Sequence, residues 1–305
     1  MVQQDLEKIH CIEEISQEYD TILFDVWGVI IMDSSEGRKT DTKIVDRVNR
    51  LIASKNVFFV SNYSCFSPKL ELKLKNFGIN VVPGSAFTAG GVAKEILSDS
   101  EYLSKFFTNY KVSSKPLFFQ LGTDEDCDIL PKIGFERTHN LQDANLMLIS
   151  AHKQPPEQND PYIIQTLKDA SVLNVPAVCI NPDAHFAGSN GTVETYCAGY
   201  FAARYEKMGG TVLYIGKPFE QIFLHVFQQA NLRPKLNKIL MVGDTLTTDV
   251  LGGRNVGIDT ALVTTGNAAV YARQKQDDAD LTLSQIRLHC QLHRIYPTYV
   301  VSMST

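Results

Sequence analysis

Short apolar runs alternate along the chain with segments in which apolar residues recur every three or four positions. The runs predict buried strands, which are TILFD (21–25), VFFVSN (57–62), PLFFQLG (116–122), NLMLIS (145–150), PAVCIN (176–181), TVLYIG (211–216), KILMVGD (238–244) and TALVTTG (260–266). The periodic segments predict helices over 42–54, 67–77, 89–98, 162–170, 194–208, 218–231 and 247–255. Strands that alternate with helices are typical of βαβ units and parallel sheets, so an α/β fold is expected. The last stretch, 287–305, has no clear pattern.

Acids and small polar residues stand at the carboxyl ends of several of these runs. Asp25 ends the first run, Ser61 and Asn62 end the second, Asp244 ends KILMVGD, and Lys217 directly follows TVLYIG. In open α/β sheets ligands bind at the carboxyl ends of the strands, so we predict that these groups converge. A strand end is also where polar residues stand when nothing is bound, and the pattern alone leaves both interpretations open.

The composition narrows the class of protein. With 305 residues, 44% hydrophobic and 21% charged, the chain can form one large domain or two domains of unequal size. A net charge of −5 without a long Lys/Arg run argues against nucleic acid or a membrane as the partner. No apolar run approaches a membrane span and MVQQDLEKIH is too polar for a signal peptide, so a cytoplasmic location is expected. The six cysteines form no CxxC pair and the histidines no HExxH pair, which argues against zinc and disulfides.

A carboxylate near a hydroxyl, a lysine and further acids suits a phosphate group that is held together with a divalent cation. Two carboxylates, a carbonyl and waters are ligands that Mg²⁺ prefers. An aspartate can then attack phosphorus and form an aspartyl-phosphate. Ser61 and backbone N–H groups in the turn after Asp25 would hold the phosphoryl oxygens.

Four segments, DVWGV, VSNYS, IGKPF and VGDTLTTDV, occur in the order and spacing of the four motifs of the haloacid dehalogenase (HAD) superfamily. GSAFTAGGVAKEIL and INPDAHF further resemble its class IIA, the group of the N-acetylglucosamine-operon nucleotidase, p-nitrophenyl phosphatase and pyridoxal phosphatase. The resemblance runs from about residue 20 to 285. It implies a doubly wound, Rossmann-like parallel sheet in a core made of 1–84 and 213–305, with an inserted α/β cap over 85–212.

The resemblance also implies a role for each matching residue. It makes Asp25 the nucleophile and a Mg²⁺ ligand, with the backbone carbonyl of Trp27 and the carboxylate of Asp244 as further ligands. The other implied roles are phosphate binding by Ser61 and Lys217, anchoring of the metal's waters or of Lys217 by Asp249, support of the same loop by Asn62, and substrate contacts from the cap by Asn181, Asp183 and His185. Taken singly, most of these residues also fit helix caps, turns or exposed loops.

The chain departs from the family at Trp27, because family phosphatases carry an aspartate two residues after the nucleophile. That aspartate protonates the leaving oxygen and later activates water, and an indole can do neither. Loss of a positioned acid–base costs about 10²–10⁴ in rate. The first hypothesis is therefore a slow Mg²⁺-dependent phosphatase that acts on a small phosphorylated metabolite of the sugar phosphate or nucleotide class.

Two other hypotheses stay open. The chain could be a Mg²⁺-dependent phosphometabolite-binding or regulatory protein in which the indole of Trp27 stacks on the ligand. A phospho-accepting switch would also use Asp25 with a lysine and an acid pair, but the cap-sized insertion argues against it. Relatives of this class also form homodimers through the cap, which makes a homodimer a further expectation.

Overall fold

The computed structural model describes residues 6–34, 37–122, 129–187, 193–273 and 283–303. The strands are β1 Ile9–Cys11, β2 Thr21–Phe24, β3 Met32–Ser34, β4 Gly37–Lys39, β5 Asn56–Ser61, β6 Ala86–Thr88, β7 Leu117–Leu121, β8 Glu136–Thr138, β9 Leu146–Ile149, β10 Ala177–Cys179, β11 His185–Ala187, β12 Val193–Tyr196, β13 Val212–Tyr214, β14 Ile239–Gly243, β15 Asp259–Val263 and β16 Tyr299–Ser302.

Helices connect most of these strands. They are α1 Ile12–Ser16, α2 Thr42–Ser54, α3 Ser67–Asn76, α4 Ala89–Ser98, α5 Ser100–Phe106, α6 Ile129–Lys132, α7 Pro161–Val172, α8 Ala198–Lys207, α9 Glu220–Gln229, α10 Leu251–Asn255, α11 Gly266–Arg273 and α12 Leu283–His293. A π-helical turn, Leu246–Val250, leads into α10. Within the described ranges, no helix combines the length and the apolar character that crossing a bilayer requires.

Seven parallel strands form the larger sheet, in the order β1-β16-β15-β14-β2-β5-β6. From β2 the chain moves outward through β5 and β6, and it later returns to the other side of β2 and moves outward again through β14, β15 and β16. The strand order therefore reverses between β2 and β14. Ligands of doubly wound sheets bind outside the carboxyl ends of the strands at such a switch point. The predicted α/β, Rossmann-like core is confirmed.

A second sheet of five parallel strands, β13-β10-β9-β7-β8, is inserted between β6 and β14. Its residues alternate between two buried clusters, since Leu146 and Leu148 of β9 face one and Met147 and Ile149 face the other. Helices α7 and α8 cover the second face, through residues such as Leu167. The insert is therefore an α/β cap with its own core.

The structure places the two sheets differently from the predicted boundaries of 85–212. Strand β6 pairs with β5 and so belongs to the core sheet, although it follows residue 84. The boundary at 212/213 falls inside β13, which pairs with β10 of the cap sheet. We therefore propose that the cap runs from α4 to β13.

The predicted strands and most predicted helices are present, with two differences. The helix predicted over 194–208 begins only at Ala198, because the preceding residues form β12 and pair in antiparallel fashion with β11. The stretch 287–305, in which no pattern was visible, contains most of α12 and all of β16. Strand β16 lies between β1 and β15, and these pairings satisfy its backbone groups on both sides.

Candidate active site

A buried lysine joins two of the predicted acids. Lys217 Nζ lies 2.5 Å from Asp25 Oδ1 and 2.7 Å from Asp249 Oδ1, and it donates to the backbone carbonyl of Val60 at 2.8 Å. All three ammonium protons therefore have acceptors. Asp25 directly follows β2, where its N–H donates to Val242 O on the neighbouring strand. The structure thus brings together three groups that are far apart in the sequence.

Burial and mutual repulsion change the acidity of this cluster. Burial, helped by the neighbouring charge of Asp249 and opposed by that of Lys217, raises the pKa of Asp25 to about 7. Burial and the carboxylates of Asp25 and Asp249 raise the pKa of Asp244 well above its ordinary value. Burial alone would lower the pKa of Lys217, but Asp249 and Asp25 outweigh it and the net shift is upward. The lysine stays charged, and negative charge is in excess.

Asp244 is held at the end of β14 by two donors. Its Oδ1 accepts a hydrogen bond from Thr245 Oγ1 at 2.8 Å, and its Oδ2 accepts one from the backbone N–H of Asn267 at 2.7 Å. The turn after Asp25 approaches the same carboxylate closely: a Cβ atom on Gly28, whose φ is +82°, would lie 2.0 Å from Asp244 Oδ2. Only glycine fits there without displacing the acid.

The acid cluster fits a hard divalent cation. Asp25, Asp244 and Asp249 each offer a carboxylate oxygen, and these oxygens lie within 4.8 Å of one another. Asp249 uses Oδ1 for Lys217 and accepts from the Thr245 N–H with Oδ2. Asp244 likewise accepts a hydrogen bond on each oxygen, and Asp25 accepts one from Lys217 on Oδ1, so all three carboxylates can offer Mg²⁺ an oxygen, the ligand type that it takes.

Asn62 and Ser61 have different surroundings. Asn62 Oδ1 accepts from the Lys217 N–H at 2.6 Å, while its Nδ2 donates to Lys217 O and to Asp183 Oδ1, both at 3.0 Å. Asn62 therefore fixes the loop that carries Lys217 and connects it to the cap. Ser61 is fully buried and its Oγ accepts from the Tyr63 N–H at 3.3 Å. The N–H of Gly28, one of the groups expected to hold phosphate, closes the turn onto Ile31 O instead.

The cap loop brings two of its three predicted residues to the site. Asn181 Oδ1 accepts from the Asp183 N–H at 3.1 Å, and Asp183 lies close enough to Asp25, Lys217 and Asp249 to interact with their charges. His185 instead lines a cavity of about 260 Å³ beside Phe219, which borders the acid cluster at Asp183 and Thr245. The next residue along the strand, Phe186, faces the acid cluster. Neighbouring residues of a strand point to opposite sides, which explains why Phe186 faces the acid cluster and His185 does not.

A larger cavity of about 470 Å³ adjoins the acid cluster. Trp27 forms part of its wall, with the guanidinium of Arg38 4.7 Å and the ammonium of Lys73 5.3 Å from the ring centroid. Lys73 also lies 4.7 Å from the ring centroid of Tyr63. The indole thus gathers two cations at this wall through cation–π contacts.

Sequence reasoning missed several residues of the two cavities, namely Arg38, Tyr63, Lys73, His152, Phe186, Thr245 and Asn267. They come from separate loops and helices and share no spacing. The sequence contains one signal for three of them, because a predicted site residue directly precedes each of Tyr63, Phe186 and Thr245.

Comparison with known proteins agrees with this architecture. A family model described as haloacid dehalogenase-like hydrolase matches residues 22–136, and a second, described as HAD-hydrolase-like, matches residues 214–287. No curated protein matches the chain.

Solved structures with the same fold cover nearly the whole chain. A haloacid dehalogenase-like hydrolase from Brucella suis superposes with a TM-score of 0.71 at 20% identity, over 96% of this chain and 98% of that one. The p-nitrophenyl phosphatase from Archaeoglobus fulgidus gives 0.63 at 21% identity over 94% and 97%, and NagD from E. coli K-12 gives 0.60 at 16% over 94% and 97%. With both family models and this shared fold, the chain belongs to the haloacid dehalogenase-like hydrolases.

Proposed function

We propose that the protein is a Mg²⁺-dependent phosphatase that acts on a small phosphorylated metabolite through an aspartyl-phosphate on Asp25. The contact of Lys217 Nζ with both Asp25 and Asp249 carries this proposal, because it places a fixed cation beside a carboxylate at the switch point of the sheet. Phosphatases among the structures of the same fold support it. The substrate class, sugar phosphate or nucleotide, is part of the proposal.

In this mechanism a carboxylate oxygen of Asp25 attacks phosphorus and the bond from phosphorus to the leaving oxygen breaks. Lys217 stabilises the phosphoryl charge, and Asp249 holds the lysine in place. Asp25, Asp244 and the backbone carbonyl of Trp27 would hold Mg²⁺, which supplies charge neutralisation of the phosphoryl oxygens. Water then attacks phosphorus, releases phosphate and restores Asp25. Ser61 would bind a phosphoryl oxygen beside Lys217, and Asn62 supports the loop that carries Lys217.

The test is release of inorganic phosphate from a panel of sugar phosphates and nucleotides, with Mg²⁺ and with a chelator. We expect Mg²⁺-dependent release by the wild type and none by Asp25→Asn, which keeps the shape of the side chain but removes the nucleophile. Asp46→Asn, on the exposed face of α2, is the matched control and should retain full activity. Activity that survives in Asp25→Asn would contradict the proposal.

Trp27 favours a second candidate, a phosphometabolite-binding protein that turns over slowly or not at all. The indole occupies the wall between the two cavities and carries no group that transfers protons. This candidate predicts that Asp25→Asn binds a phosphorylated ligand as tightly as the wild type, and that Trp27→Asp raises turnover strongly. Equal turnover in the wild type and in Trp27→Asp would contradict it.

A further inference from the structure

The cavity of the acid cluster and the larger cavity beside it meet at a wall that includes the carboxylate of Asp183, which also borders the cavity of His185. The smaller cavity contains Asp25, Lys217 and the other acids, where the phosphoryl group belongs, and the larger one has room for the rest of a substrate. Their shared wall consists of Trp27, Asp183 and Phe186. In the proposed phosphatase, the bond that breaks joins the occupants of the two cavities and so lies beside this wall. Of the three shared side chains, only that of Asp183 can give and take a proton.

The carboxylate of Asp183 is anchored through one oxygen. Asn62 Nδ2 donates to Oδ1 at 3.0 Å, and the backbone N–H of Asp183 donates to Asn181 Oδ1 at 3.1 Å. In the part of the chain that the structure describes, Oδ2 accepts no hydrogen bond. Asn62 of the core therefore positions Oδ1 of Asp183, and Asn181 fixes the loop that carries it. Oδ2 remains able to carry a proton for a substrate.

The charges that face Asp183 keep both of its protonation states accessible. Burial raises its pKa to about 6, against the attraction of Lys217, with Asp249 adding to the rise and Asn62 and His152 opposing it. Asp25 also faces it and feels its charge. A proton-transfer group works best when its pKa lies near the operating pH.

We propose that Asp183 is the general acid and base of this site and performs, from the cap, the proton transfers that Trp27 cannot perform from the core. The inference rests on the proposed phosphatase function. As Asp25 Oδ forms its bond to phosphorus and the phosphorus–oxygen bond of the substrate breaks, Asp183 gives its proton to the leaving oxygen. The resulting carboxylate then takes a proton from the attacking water, whose oxygen bonds to phosphorus as the Asp25–phosphate bond breaks.

The test compares Asp183→Asn with the wild type on two substrates, an alkyl phosphate and p-nitrophenyl phosphate. The asparagine keeps an acceptor for Asn62 but cannot donate an acidic proton. For the alkyl phosphate, whose leaving oxygen needs a proton, kcat/KM should fall about 10²–10⁴-fold. For p-nitrophenyl phosphate, whose leaving group departs as an anion, kcat/KM should change less than about tenfold. Its kcat should still fall, with a burst of about one p-nitrophenol per site, because the base that activates water is missing.

A second variant separates chemistry from structure. The double variant Trp27→Asp/Asp183→Asn has an aspartate at position 27, where relatives carry one. We expect this variant to regain activity toward the alkyl phosphate and to lose the burst of p-nitrophenol. An unchanged ratio of kcat/KM for the two substrates in Asp183→Asn would overturn the inference. An equal loss of kcat/KM on both substrates, without a burst of p-nitrophenol and without rescue in the double variant, would also overturn it. That result would show that Asp183 has only a structural role. Absence of any Asp25-dependent hydrolysis in the wild type would contradict the proposed function itself, and the role of Asp183 with it.

Discussion

Among the described residues, Lys217 is the cation buried with the carboxylates of Asp25 and Asp249, and its removal should be costly. Lys217→Met leaves Asp25 and Asp249 buried without their partner, which destabilises a protein by about 3–5 kcal/mol. We expect this loss in the free energy of unfolding, measured by urea denaturation without Mg²⁺. Because Mg²⁺ would compensate the same charges, its addition should stabilise this variant more than the wild type. Lys43→Met, at an exposed position of α2, should unfold like the wild type; equal stability of both variants would contradict the role of Lys217.

Gly28 and Gly84 form a natural pair of test positions, because their φ angles are +82° and +81°. Alanine at either position costs about 1–2 kcal/mol of stability for the left-handed backbone. A Cβ atom at Gly84 has no atom within 4 Å, whereas one at Gly28 meets Asp244 Oδ2. We therefore expect Gly28→Ala to bind Mg²⁺ more weakly and to lose phosphatase activity. The fluorescence of Trp27 measures the binding of Mg²⁺. Gly84→Ala should retain both, and equal Mg²⁺ binding by the two variants would contradict the assignment of Asp244.

The strands that carry the acids were the most predictable elements, and the reason is their burial. Both faces of β2 and β14 are buried, so each is a nearly continuous apolar run that ends at an acid. The sequence pattern predicted a helix in place of strand β12. The residues of β12 are only partly buried, and its apolar residues continue the helical spacing of those in α8. The hairpin β3–β4 and the contact of Arg38 with Trp27 depend on pairing across the chain, which local periodicity does not record.

Helix α12, which the sequence pattern did not show, contains a buried histidine. Burial, together with the nearby charge of His293, lowers the pKa of His289 to about 4. The folded state therefore favours the neutral imidazole, so the stability that it contributes is present above its ordinary pKa of 6.5 and is lost as the pH falls toward 4. The loss amounts to about 3 kcal/mol at 1.36 kcal/mol per pKa unit.

His289→Gln should remove this part of the acid sensitivity. We expect the difference in free energy of unfolding between pH 7 and pH 4 to be smaller in the variant by about 3 kcal/mol. Urea denaturation at a series of pH values measures it. His139→Gln, at an exposed position after β8, is the matched control and should follow the wild type. The same pH dependence in both variants would show that the pKa of His289 is equal in the folded and unfolded states, which contradicts the prediction.

Core and cap share one buried apolar cluster, in addition to the hydrogen bond between Asn62 and Asp183. The cluster contains Leu23 and Met241 of the large sheet together with Phe118 and Leu148 of the cap sheet. A rigid rotation of the cap away from the core would expose this apolar surface to water, at a free-energy cost of about 25 cal/mol per Å². This shared packing predicts that the acid cluster and Asp183 keep their relative positions.

The shared cluster predicts that core and cap unfold together, and Trp27, the only tryptophan of the chain, reports on the core cluster and on the cavity wall that it forms with the cap. Leu148→Ala leaves a cavity on the cap face that packs toward the core, and it should destabilise the protein by about 2–5 kcal/mol. Leu167→Ala does the same on the far side of the cap, away from Trp27. If the molecule is one cooperative unit, both variants shift the urea midpoint of Trp27 fluorescence and of far-ultraviolet circular dichroism equally. If the circular dichroism of Leu167→Ala instead shows two transitions, the later one at the wild-type midpoint, the cap unfolds independently and the shared cluster does not couple it to the active site.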